Sequence, residues 1–368
     1  MPKAVMGLDT RMLEHTGIGT YIRNLLSGFS RLGLADQERF QTFGKPFADA
    51  PFAHHVFNAP IYSVQEQIEY PFRLKDCLLW HAPHYNAPMI KGKTKLVVTV
   101  HDLIHWVFRK DYYTPVHAFY TQRLMNRIAR IADRIITVSQ NTKEDLIRYF
   151  RADPEKISVI YEAVSDDFRP CAGPEPVLRV REKFGLPEKY FLYVGTLKPH
   201  KNVHWLIRLF RQLKADRKIN ASLVIVGRKE AHYPRGYEDL SSLKSDGDIF
   251  HFSAMDRGDL IALYNGAVSL IHPSLYEGFG LTLLESMACG TPVIALECAS
   301  IPEVAGVAAC LIDSSSNHDM MQAIIRMDRD TNFRHHWRSK GLERVRQFSW
   351  DSTAKKTYEV YEEVLSLK

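Results

Sequence analysis

The sequence predicts an α/β protein made of two doubly wound domains, and three observations carry the prediction. Short β-branched runs alternate with longer helical stretches. The alternation restarts near the middle of the chain. A segment dense in proline and glycine separates the two series. With 368 residues, the chain is long enough for two hydrophobic cores at roughly 150 residues per domain. Apolar residues make up 45% and charged residues 24%, which excludes a disordered, collagen-like or coiled-coil chain.

In the first half, the runs at 4–9, 78–82, 96–101, 134–139 and 157–160 read as strands, and 18–33, 117–132 and 140–150 as helices. In the second half the strands are 190–195, 222–227, 249–252, 268–272 and 292–296, and the helices 202–215, 256–266, 280–289 and 317–328. Continuous apolar strands alternating with helices mean parallel sheets covered on both faces. Right-handed crossovers gather the strand C-termini on one edge, where ligands bind. Residues 168–176 hold three prolines and a glycine and suit neither helix nor strand. They set the expected boundary, with one domain at 1–172 and the next at 173–350. A closing helix at 351–368, with Tyr358, Tyr361 and Val364 on one face, is expected to pack back on the first domain. The two strand edges are expected to share one cleft.

Charge and cysteines narrow the class. The net charge of +6 is too small for a nucleic-acid tail. The five cysteines are an odd number without a C-x-x-C pair, which suits a reducing compartment. The N-terminal stretch meets Asp9 too soon for a signal peptide. No apolar run reaches the roughly 18 residues of a spanning helix. The expectation is a cytoplasmic enzyme, with peripheral contact at the inner face of a membrane left open.

The sharpest motif follows the run 268–272. It reads Tyr276-Glu-Gly-Phe-Gly-Leu-Thr-Leu-Leu-Glu-Ser-Met-Ala-Cys-Gly-Thr-Pro-Val293. Gly278 and Gly280 allow a tight turn and a close backbone approach to a ligand. A helix start behind such a loop presents N–H groups suited to phosphate. A carboxylate at Glu285, one to two turns on, suits a ribose diol with its two O–H donors. The same residues also suit a buried helix start carrying a surface glutamate.

This segment resembles the signature of retaining GT-B glycosyltransferases of family GT4, and the stretches 195–202 and 81–86 look most like the bacterial GDP-mannose-dependent mannosyltransferases within it. The hallmark is the pair Glu277 and Glu285, with seven residues between them, followed by Ile301-Pro-Glu-Val-Ala305. The likeness runs over nearly the whole chain and is weakest at 35–75. It implies a GT-B fold of two Rossmann-like domains. It also implies that Glu285 holds the nucleotide ribose and that Glu277 contacts the donor sugar. The backbone from Phe279 through Gly280 and Leu281 to Thr282 would then face sugar and diphosphate. Thr282 stands where many members have proline.

The second site is Tyr193-Val-Gly-Thr-Leu-Lys-Pro-His-Lys-Asn202. A lysine at this rim binds diphosphate as a mobile point charge. Lys201 matches the family's lysine, and Asn202 is a good N-cap type. Thr196 replaces an arginine common in relatives, and Lys198 or Arg228 could substitute. The third site is Val97-Val-Thr-Val-His-Asp-Leu103. By resemblance, His101 points towards the donor sugar, and Asp102 orients the loop. Read alone, His101 suits a satisfied structural histidine. The fourth is Glu14-His-Thr-Gly-Ile-Gly-Thr-Tyr21, whose Gly17 and Gly19 resemble the loop under the donor or form a simple βα turn. It is not a dinucleotide fingerprint, because residue 22 is Ile. Residues 80–88 place His84, Tyr85 and Asn86 near a strand end, as an acceptor pocket or a sheet cap.

The sequence carries no metal-ligand cluster, no Walker loop and no nucleophile elbow. The family typically needs no bound metal. The donor is expected to be a nucleotide diphosphate sugar, GDP-mannose favoured, and the acceptor a glycan or lipid-linked saccharide. UDP-linked glucose or N-acetylglucosamine stays open, as do a nucleotide-sugar epimerase and a non-catalytic sugar-binding protein. Residues 91–134 hold nine lysines and arginines against three acids, a surplus equal to that of the whole chain. Trp106, Tyr112, Tyr113, Phe119 and Tyr120 are interleaved. Such a surface suits either an anionic membrane or a solvated helix face.

Overall fold

The computed structural model describes residues 5–35, 39–46, 52–112, 115–229 and 247–366. The chain divides into two compact units, one of Met1–Ala163 with Ser349–Lys368 and one of Val164–Phe348. Each is a parallel sheet between helices.

The first unit holds seven strands: β1 (Val5–Asp9), β2 (Phe40–Gly44), β3 (Ala53–Val56), β4 (Cys77–Ala82), β5 (Lys95–Val100), β6 (Arg134–Thr137) and β7 (Ile157–Val159). Their order is β3-β2-β1-β4-β5-β6-β7, and every pair is parallel. The chain winds outward from β1 to β3 and returns to the other side of β1 at β4. This reversal is the topological switch point where doubly wound sheets bind ligands. Leu96, Val97, Val98 and Val100 of β5 are fully buried, as a central strand covered on both faces requires.

Two of these strands and a helix fall where the sequence shows no clear pattern. β3 is an exposed edge of Ala-His-His-Val, so alternation has nothing to register. The helix Val64–Leu74 contains Pro71 and buries Glu66 where a leucine would be expected.

The closing helix, Trp350–Ser366, lies in the first unit. Tyr361 Oη sits 2.5 Å from His81 Nδ1, while His81 Nε2 meets Thr99 Oγ1 at 2.8 Å. Burial, with His101 adding, pushes the His81 ring down to about 3, so it is neutral. Thr353 Oγ1 donates to the Tyr161 carbonyl at 2.7 Å.

The second unit holds β8 (Tyr190–Val194), β9 (Ser222–Val226), β10 (Ile249–Phe252), β11 (Ser269–His272), β12 (Val293–Leu296) and β13 (Cys310–Ile312). The order is β10-β9-β8-β11-β12-β13, again all parallel. Its switch point lies between β8 and β11. Phe191, Leu206, Phe210, Leu223, Ile271 and Ile294 pack its core.

The division falls at Ala163 and Val164, not near 172. The segment after it is anchored to the second unit. Phe168 is buried with its ring 5.9 Å from Tyr264. Asn265 Oδ1 accepts from the Cys171 N–H at 2.8 Å, and Asn265 Nδ2 donates to the Arg169 carbonyl at 3.1 Å. Asp167 pairs with Arg257. Proline and glycine density therefore marks irregular backbone here, not the end of a domain.

Candidate active site

In the second unit, the loops after β8 and β11 meet at the switch point. The Leu275 N–H donates to the His200 carbonyl at 2.8 Å. Gly280 adopts φ +104° and ends the β11 loop, and the helix Leu281–Ala288 starts behind it. No side chain caps this helix at Gly280. Its first N–H groups have no intrahelical carbonyls. Ser300 Oγ is buried within 2.9 Å of the Glu277 carbonyl and 3.0 Å of the Phe279 carbonyl, which pins Gly278 between them.

Glu277 is 7% exposed. Its Oε1 meets Lys201 Nζ at 2.6 Å and His272 Nε2 at 3.0 Å. Burial alone would push this carboxyl up. The Lys201 charge, then His272 and His200, outweigh it and hold Glu277 well below the usual carboxylate range. Glu277 is therefore ionised. Thr282 Oγ1 sits 3.3 Å from His272 Nδ1, so Thr282, His272, Glu277 and Lys201 form one chain of contacts. Lys201 closes a short 3-10 turn, Pro199–Lys201. Asn202 follows in the left-handed region (φ 54°) and makes no side-chain cap, unlike the capping role its residue type predicts.

Glu285 has different surroundings. Its Oε2 accepts from Tyr264 Oη at 2.8 Å. Burial raises this carboxyl, the Tyr264 bond and Arg257 oppose the rise, and Asp167 adds to it. Thr196 offers its carbonyl to Tyr193 Oη at 2.9 Å. Arg228 is exposed after β9, and its carbonyl accepts from the Leu197 N–H at 3.1 Å.

In the first unit, His101 follows β5. Nδ1 lies 3.0 Å from Glu162 Oε1 and Nε2 2.9 Å from the Pro83 carbonyl. Both partners are acceptors, so both ring nitrogens carry hydrogens and the ring is an imidazolium. Burial works against that charge. The Glu162 bond and charge outweigh it, with Pro83 and Asp102 adding, and the net shift is upward. His101 is thus a cation with both N–H groups engaged, in keeping with the satisfied structural histidine that the residue read alone suggests. Asp102 Oδ1 accepts from the Ile104 N–H at 3.0 Å. The Tyr21 ring stands edge-on to His101 at 4.9 Å.

Gly17 and Gly19 lie in the first turn of the helix Thr16–Arg31, not in a loop. A Cβ on Gly19 would meet the Leu13 carbonyl oxygen at 2.1 Å, whereas Gly17 faces open space. His84, Tyr85 and Asn86 follow β4. The His84 and Tyr85 rings are 4.0 Å apart, and the Asn86 N–H donates to His84 Nδ1 at 3.2 Å. Asp9, Arg11, Met12, Ile61 and Pro83 join His84 and Asn86 around a crevice at the β1/β4 switch point.

Two family models divide the chain between them. Residues 15–168 match Glycosyltransferase Family 4 and residues 176–344 match Glycosyl transferases group 1. The chain belongs to glycosyltransferase family 4. The transferase is 29% identical over 290 residues to the O-antigen chain mannosyltransferase B of Escherichia coli, covering 77% of this chain and 74% of that protein. It is 27% identical over 268 residues to the serotype-specific mannosyltransferase WbdA of Escherichia coli. That match covers 71% of this chain and 32% of WbdA, so the chain spans about a third of that relative's length. Among solved structures, Anabaena Alr3699/HepE in complex with UDP-glucose superposes with TM-score 0.77 at 18% identity. The superposition covers 97% of this chain and 99% of that one. The transferase has the GT-B fold of two Rossmann-like units.

In the second unit Lys201 meets Glu277 directly and the Arg228 carbonyl bonds the Leu197 N–H of the β8 loop, whereas Glu285 is bonded to Tyr264 instead. The sequence did not single out His272, Ser300, Tyr264 or Glu162 for a role. His272 was legible only as the end of an apolar run. Glu162 lies in Ile160-Tyr-Glu-Ala163, which carries no periodicity. In the basic region, Lys91 pairs with Asp133 and Arg134 with Glu363, while Arg123 lies over Phe119 and Arg109 over Trp106. Tyr113 and the side chain of Tyr112 lie outside the described residues. Among the described residues, no helix is long and apolar enough to cross a membrane.

Proposed function

We propose that this transferase moves mannose from GDP-mannose to a glycan or lipid-linked saccharide, with retention of configuration. The observation that carries the reading is the Glu277 clamp. Lys201 and His272 both approach Oε1, which leaves Oε2 as an ionised acceptor for a donor-sugar hydroxyl. The likeness to O-antigen mannosyltransferases supports mannose. Glu285 takes the ribose hydroxyls on the oxygen that Tyr264 leaves free. The first-turn N–H groups at Leu281 and Thr282 take the diphosphate, with Lys201, Thr196 and Arg228 at the rim. His101 acts as a positioning cation that holds the Pro83 carbonyl. His84, Tyr85 and Asn86 contact the acceptor.

In the transfer, the bond from sugar C1 to the diphosphate oxygen breaks as C1 bonds to the acceptor oxygen on the same face. The acceptor proton passes to the leaving diphosphate. No protein residue is consumed, and no metal step is part of the proposal.

The test is a thermal-shift panel of GDP, UDP and their sugars, followed by NMR of the product anomer. GDP and GDP-mannose are expected to stabilise the chain, and the product to keep the α configuration. Stabilisation by uridine nucleotides alone would overturn the donor, and a β product would overturn retention. Glu285→Gln is expected to weaken GDP binding about 10- to 100-fold, the worth of hydrogen bonds to a charged group. Unchanged affinity by calorimetry would remove the ribose role.

A further inference from the structure

The crevice at the β1/β4 switch point has an unusual floor. Arg11 is buried there, with its side chain 4% exposed. Its Nε–H points at the Asp9 carboxylate, 3.0 Å from Oδ1 and 3.1 Å from Oδ2. Nη1 donates to the Ala59 carbonyl at 3.2 Å and to Glu66 Oε2 at 2.9 Å. Nη2 donates to Asp9 Oδ2 and to Tyr70 Oη, both at 2.6 Å. A guanidinium has five N–H donors, and all five are taken. Phe57 covers its face at 3.9 Å. Arg11 therefore has nothing left to offer an anion.

Its neighbours point the same way. Glu66 accepts from three donors: Arg11, Asn86 Nδ2 at 2.8 Å and the Tyr62 N–H at 2.9 Å. Burial raises this carboxyl and the Asn86 and Arg11 bonds oppose the rise; three donors converging on its two oxygens are the pattern of a carboxylate. One cation thus faces two carboxylates, Asp9 and Glu66. His84 accepts a backbone N–H on Nδ1, and burial drives it well below its ordinary range, so it adds no charge. Asn86 is 4% exposed. Its amide nitrogen is committed to Glu66, and its Oδ1 finds no donor among the described residues. An unpaired buried carbonyl is costly, and a ligand O–H would satisfy it.

We infer that this crevice receives a neutral, hydroxyl-bearing sugar unit of the acceptor and rejects the same unit carrying a phosphate. The inference rests on the transferase reading for the word acceptor, and on the crevice alone for its selectivity. It separates two kinds of relative that resemble this chain. O-antigen mannosyltransferases stand on one side, and D-inositol 3-phosphate glycosyltransferases, named for an anionic substrate, on the other.

The test uses the full chain and two probes, methyl α-mannobioside and the same glycoside phosphorylated on its terminal O6. Binding is read by ligand-observed NMR with and without GDP. The neutral glycoside is expected to bind, and the phosphorylated one to bind roughly 100-fold or more weaker, the scale of like-charge rejection. Equal binding, tighter binding of the phosphorylated probe, or binding of neither overturns the inference. A second variant locates the effect. Ile61→Arg sets an untethered cation at the crevice and is expected to narrow the ratio at least about tenfold. An unchanged ratio places the selectivity elsewhere and also overturns the inference. Nucleotide binding is scored separately by thermal shift, so its failure strikes the transferase reading while the glycoside data still decide the crevice.

Discussion

His101 and Glu162 show what a single contact decides. A histidine at the end of a buried strand was legible in the sequence, but its charge was not. That charge follows from Glu162, 61 residues away along the chain, which no local pattern connects to it. The ring is surrounded by Glu162, Asp102, Tyr21, neutral His81 and neutral His84. Its folded value lies above the ordinary histidine value of about 6.5. The stabilisation from the pair is therefore complete below that ordinary value, and is lost as pH rises through the raised one. Thermal unfolding of the native chain and Glu162→Gln is expected to differ most in mildly acidic buffer, and the two curves to converge as pH rises. A gap that widens with pH would contradict the imidazolium. The glutamate pair teaches the same lesson. Both positions could be read from their spacing, yet Glu277 is clamped by two basic side chains and Glu285 leans on a tyrosine hydroxyl.

Among the elements, the central strands and long helices were legible because they are continuous and apolar. β8, β9 and the helix Gln140–Phe150 match their sequence reading closely. β2, β3, β13 and the helix Val64–Leu74 were not. β3 is an exposed edge, β13 has three residues, and the helix hides a charge network on its buried face. Glycine meaning also shifts at this scale. Gly19 matters as the point where a helix start passes the Leu13 carbonyl, not as a flexible loop. Gly19→Ala is expected to destabilise the chain by about 1–3 kcal/mol, typical of overpacking, whereas Gly17→Ala is expected to be neutral or slightly stabilising. Paired denaturant melts check both.

For the whole molecule, two sheets and two cores were readable from the repeated alternation, but the division point was not. Proline and glycine mark irregular backbone, and contacts decide which unit owns it. The closing helix, expected from its Tyr358, Tyr361 and Val364 face to pack back on the first domain, lies in the first unit and adds a non-local tie there, since Tyr361 meets His81 across 280 positions. A chain ending at Phe348 is expected to lose hydrogen-exchange protection in β1, β4 and β5 while β8, β9 and β11 keep theirs. Equal loss in both units would contradict independent cores. The same tie sets an order of events at the ribosome. Every strand of the second unit is translated within one uninterrupted stretch, Val164–Phe348, so that core can close as soon as it emerges. The unit translated before it holds Phe29, Phe40 and His81 without their Tyr361 contacts until the helix Trp350–Ser366 appears. That unit is thus completed only after the second, and for that interval its open apolar face is exposed to aggregation.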